Sequence, residues 1–108
     1  MTTSVAAVSP GRETRAENLR ESAFGDRRLL NDLLIATAHQ DEAAFARFYQ
    51  LTSPWIYLLL RRRTGSTAHA ENAMRLVYTA IWRRAASFAP PTQSALAWAT
   101  TIAYESVA

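Results

Sequence analysis

The chain contains no cysteine and no lysine, and only three glycines and four prolines among 108 residues. Without cysteine there is no disulfide framework, no thiolate metal site and no cysteine nucleophile, which suits a reduced, cytoplasmic setting. The longest strictly apolar run, Trp55 to Leu60, is far short of the roughly 20 residues of a membrane span. The N-terminus, M-T-T-S-V-A-A-V-S-P-G-R, lacks the basic start and apolar core of a secretory signal. His39 and His69 have no Asp, Glu or Cys at ligand spacing, so no metal site is expected. A glycine-rich phosphate loop, a Ser/His/Asp set and a carboxylate pair in an apolar setting are all missing from the pattern. The sequence therefore reads as a non-enzyme without a cofactor.

What is present is arginine, alanine, leucine and aromatics. Apolar residues make up 49% and aromatics 10%, enough for one small domain that buries roughly 60–70% of its unfolded surface. Scarce glycine and abundant Ala and Leu favour helices. All 12 basic residues are Arg against nine acidic ones, a net charge of +3. Arginine suits phosphate and planar-group contacts, so nucleic-acid binding is permitted but not demanded by the charge.

Residues 1–25 are small, polar and charged and read as a disordered leader, with a transient helix over Glu13 to Ala23. Residues 26–108 read as one helical domain, with no second domain expected. Asp26 caps a first helix to about His39, with Leu29, Leu30, Leu33, Leu34 and Ala38 as its buried stripe. Asp41 caps the next, with Ala44, Phe45, Phe48 and Tyr49 on one side. Thr52-Ser53-Pro54 interrupts it, and two readings stay open: a new helix capped by Ser53 with Pro54 in its first turn, or one bent helix. Ile56, Leu59 and Leu60 are its further core residues, and Arg61-Arg62-Arg63 ends it with Gly65 as a left-handed cap.

Ser66 to Ala86 is the most strongly patterned stretch. Ala70, Ala73, Met74, Val77, Tyr78, Ile81, Trp82 and Ala85 fall on one helix face, Ser66 or Thr67 can cap it, and Arg83 and Arg84 suit its C-terminal dipole. Pro90-Pro91 stops it, and Ser94 caps a last helix carrying Leu96, Trp98, Ala99, Ile102 and Ala103. The expected architecture is all-α, a compact bundle of about four helices.

Three stretches in this order carry a resemblance: D-E-A-A-F-A-R-F-Y with the later S-P and Tyr57, A-E-N-A-M-R-L-V-Y-T-A-I-W-R-R-A, and F-x-P-x-x-x-S-A-L-A-W followed by T-I-A. Together they resemble region 2 of bacterial RNA polymerase sigma factors of the extracytoplasmic-function (ECF) type, over residues 28 to 108. That resemblance implies a transcription-initiation module that docks on the clamp helices of core RNA polymerase and melts the promoter −10 element. It implies a polymerase-binding set of Asn72, Arg75, Leu76, Tyr78 and Arg83, and a DNA-binding set of Arg84, Phe88, Pro90, Gln93, Trp98 and Tyr104. An anti-sigma factor is a further implied partner; a membrane is not. Read from the residues alone, Trp82, Trp98 and Phe88 are also core candidates. The chain departs from the family pattern at Asn72, Arg75 and Leu76, where Asp, Gln and Glu are usual. It departs again at Glu105 and Ser106, where a basic pair is usual. Those departures support an alternative, a helical interaction protein that does not bind DNA, such as an anti-sigma decoy or a sigma remnant.

Overall fold

Three of the helices start at a residue whose side chain accepts a hydrogen bond from the first turn. The computed structural model describes residues 27–90 and 93–107. The described chain forms α1 (Arg27–Ala38), α2 (Glu42–Thr64), α3 (Thr67–Arg84), a 3-10 turn (Ala85–Ser87) and α4 (Ala95–Ser106), with no strand among the described residues. Asp41 Oδ1 accepts from Ala44 N at 3.0 Å, Ser66 Oγ from His69 N at 3.0 Å and Ser94 Oγ from Ala97 N at 3.1 Å. Each satisfies one of the donors that a helix start leaves unpaired. The leader expected over 1–25, its helix over Glu13 to Ala23 and the Asp26 cap lie outside the described residues.

The chain turns between α1 and α2 with Gln40 at φ 69°, and between α2 and α3 with Gly65 at φ 75°. Gly65 donates its N–H to the Arg61 carbonyl at 2.9 Å and closes the last turn of α2. A methyl group added at Gly65 meets nothing within 4 Å, so its substitution carries only the left-handed backbone cost. Gly65→Ala is therefore expected to lower stability by about 1 kcal/mol, and Gln40→Gly to raise it by about 0.5–1 kcal/mol. Chemical denaturation of the two variants measures both signs.

The Thr52-Ser53-Pro54 break does not occur. α2 runs through it as one helix of 23 residues with Pro54 inside, so Ser53 is no cap. Proline removes the hydrogen bond to the carbonyl of Gln50. Both Pro54 and Gln50 face solvent, where water takes the freed carbonyl. On the buried side the chain is held by Thr52, whose hydroxyl donates to the Phe48 carbonyl at 2.8 Å. Tyr78 of α3 in turn donates to Thr52 Oγ1 at 2.7 Å. Burial pushes the Tyr78 hydroxyl far above its usual range, with the Thr52 bond opposing that rise and nearby Tyr49 adding to it. The hydroxyl stays neutral and keeps its proton for Thr52.

α2 packs along α3, α1 along α2, and α4 against α3. Leu30, Leu34, Phe48, Ile56, Leu60, Val77, Ile81 and Ile102 are fully buried where the four helices meet. Leu29, expected in the α1 stripe, is 38% exposed, and Thr37 takes the buried place one turn beyond Leu34. The side chain of Thr37 meets that burial by donating to the Leu33 carbonyl at 2.8 Å. α3 stops at Arg84, two residues before the expected end, because its last turn tightens into the 3-10 turn. Ser87 Oγ caps the Arg84 carbonyl there at 2.7 Å.

Candidate functional site

On α3 the buried residues Ala70, Ala73, Val77 and Ile81 define one face. Asn72, Leu76, Thr79 and Arg83 recur at three- and four-residue spacing on the opposite face, with Arg75 beside them, and all are exposed. Leu76 stands out: it is 62% exposed with no apolar neighbour on its own stripe. Along one flank of this face, α2 and α3 enclose an open groove of about 1280 Å³. Its floor is aromatic. Phe45 meets Trp82 edge-on at 5.1 Å between ring centroids, and Tyr49 meets Tyr78 at 4.7 Å. Glu42, Glu71 and Arg75 line it as well, so it offers apolar surface with charges of both signs.

The second region is the path from α3 into α4. Phe88 and Trp98 are buried, 8% and 7% exposed, and meet edge-on at 5.9 Å. They fasten the connecting segment to α4. Its far end is tied to α1, where Asn31 Oδ1 accepts from Ala95 N at 2.8 Å. Trp55 of α2 adds a bond from Nε1 to Thr100 Oγ1 at 3.3 Å. Gln93 is exposed and Pro90 half-buried on this segment. At the other end of α4, Glu105 pairs with Arg84 at 3.0 Å, and Arg63 lies over the Tyr104 ring at 5.0 Å from its centroid. Among the described residues no cluster of His, Cys, Asp or Glu could hold a metal ion, and no helix is long and apolar enough to cross a membrane.

Residues 48–107, which hold most of this surface, match the family described as Sigma-70 region 2. The chain belongs to that family. Its ECF character comes from the relatives it resembles. ECF RNA polymerase sigma factor SigK of Mycobacterium tuberculosis is 39% identical over 75 residues, which is 69% of this chain and 40% of that protein. SigK of Mycolicibacterium vanbaalenii is 37% identical over 75 residues, 69% of this chain and 38% of the relative. The chain thus spans about two fifths of the length of these curated relatives. No solved structure matches it significantly.

Within this region 2 domain, the residues anticipated for polymerase contact fall in two places. Asn72, Arg75, Leu76 and Arg83 share the open face of α3, whereas Tyr78 is 7% exposed and spends its hydroxyl on Thr52. Tyr78 supports the groove from below. The residues anticipated for DNA contact divide three ways. Arg84, the last residue of α3, and Tyr104, in the last turn of α4, are exposed on either side of the Arg84–Glu105 pair, Pro90 and Gln93 lie on the segment before α4, and Phe88 and Trp98 are in the core. Since α4 rises about 1.5 Å per residue, the ten steps from Ala95 to Glu105 hold its two ends about 15 Å apart. Three contacts of the site carried no sequence signal: Asn31 with Ala95, Arg63 with Tyr104 and Arg84 with Glu105. Each joins residues more than 20 positions apart.

Proposed function

We propose that this chain is a sigma-type transcription-initiation module of the cytoplasm. Its α3 face docks on the clamp helices of core RNA polymerase, and its α3–α4 end contacts an unpaired −10 promoter strand. The observation that carries this reading is the α3 stripe, where a largely exposed Leu76 is flanked by Arg75 and Arg83 on a helix inside the matched region. A largely exposed leucine beside exposed arginines gives a partner apolar area to bury and cations to pair with. On the DNA side, Arg84 supplies a cation for phosphate, and Gln93 and Pro90 meet the strand from the connecting segment. Phe88 and Trp98 hold that segment in place from the core. The aromatic groove beside α3 suits a helix of an anti-sigma factor.

A second reading is a helical interaction protein that does not bind DNA. One observation favours it: Arg84 and Tyr104 are already engaged by Glu105 and Arg63. Size-exclusion chromatography of the chain with bacterial core RNA polymerase and a labelled single-stranded −10 oligonucleotide separates the two readings. Co-elution of all three supports the module. Co-elution with polymerase alone, without added retention of the oligonucleotide, would favour the second reading.

A further inference from the structure

Resting on the DNA-contact reading above, one pair of residues goes further than it. Arg84 is the last residue of α3, and its Nη1 donates to Glu105 Oε1 at 3.0 Å. The two side chains are 48% and 54% exposed, so the pair lies open to solvent at the junction of two helix ends. Its neighbour Arg83 is also exposed and has no ion-pair partner among the described residues.

Glu105 is poorly explained by the stability of the fold. It sits in the last turn of α4, where the helix dipole disfavours an anion. An ion pair this exposed contributes little to folding. What it does change is Arg84. A carboxylate presents to a guanidinium the same pair of acceptor oxygens as a phosphodiester, so Glu105 fills the position a phosphate would take. The adjacent Tyr104 engages Arg63 of α2 through its ring, so a single turn of α4 restrains the basic ends of both preceding helices.

We propose that Glu105 is a built-in competitor for the phosphate backbone of a single-stranded nucleic acid at Arg84. A strand reaches Arg84 only by exchanging the Glu105 carboxylate for one of its own phosphates, and a strand that makes few other contacts binds without that exchange, one phosphate contact short and more weakly. Glu105 thereby sets the threshold between non-specific and productive binding.

The test is a fluorescence-anisotropy titration of a short labelled oligothymidylate with the full chain, Glu105→Gln, Arg84→Gln and the double variant, repeated over a range of salt. Glu105→Gln is expected to bind about 2- to 5-fold tighter at low salt. Its plot of log affinity against log salt is expected to be steeper by about 0.7, the signature of one further phosphate contact on a single strand. Arg84→Gln in the double variant is expected to cancel both gains. Equal affinity and slope for the native chain and Glu105→Gln would overturn the proposal while leaving the DNA reading intact. A gain that persists without Arg84 would also overturn it, since Glu105 would then act only through overall charge. Absence of binding by every variant would overturn it together with the DNA reading.

Discussion

Phe48→Ala is expected to destabilise the domain by about 3–5 kcal/mol, the largest loss available from one side chain here. Phe48 is completely buried in the second turn of α2, in the cluster that contains Leu34, Ile56, Val77 and Ile81. Its removal takes away the transfer free energy of a benzyl group and leaves a void, because the packed helices around it relax only partially. A domain of this size has about 5–15 kcal/mol in all, so the loss is a large share of the total. Thermal melting followed by circular dichroism should fall by at least about 12 °C or lose its cooperativity. Phe45→Ala, at a half-buried position on the groove, should cost clearly less. Equal melting of the two variants would show that the core is not centred on Phe48.

Leu76→Ala is expected to have the opposite profile. At 62% exposure Leu76 contributes little to the fold, and its replacement should change stability by no more than about 0.5 kcal/mol. If α3 docks on polymerase through this face, the same change removes the apolar area that the interface would bury. Burying a leucine side chain contributes about 2 kcal/mol, so affinity for core polymerase should fall by about 30-fold. A competition assay against a labelled ECF sigma factor measures the shift. An unchanged affinity with unchanged melting would remove Leu76 from the interface.

The local parts of this fold were legible in the residues because local chemistry determines them. Asp41, Ser66 and Ser94 are short oxygen-bearing side chains one residue before an apolar period, and each is a cap. Gly65 follows three arginines and takes the left-handed position that glycine adopts at least cost. Gln40 takes the same conformation without such a signal, so nothing in its side chain foretold the turn. Pro54 left two readings open, and the continuous helix is the one that forms. Proline breaks a helix in isolation, but here the lost hydrogen bond faces water and the buried Thr52–Tyr78 bond holds the two helices together. The family pattern pointed to α3 and to the segment before α4, and the exposed stripe lies on α3. The family pattern does not tell exposed from buried members of a motif, but the apolar period does: Tyr78 falls on the helix face it marks, Phe88 and Trp98 are its core candidates, and Leu76 lies off it. The meeting of Arg84 with Glu105 depends on how distant helices pack, and no local pattern marks it.

The reading proposed here makes the outer face of α3 the polymerase-docking surface. The most direct measurement is site-specific photocrosslinking to bacterial core RNA polymerase, with benzoylphenylalanine placed at Leu76 in one sample and at Ile35 in another. Ile35 is an equally suitable attachment point on α1, exposed at 39% and away from the groove. The expected result is a strong crosslink to the polymerase from position 76 and little from position 35. Crosslinking from position 35 with none from position 76, in a domain that melts normally, would contradict it.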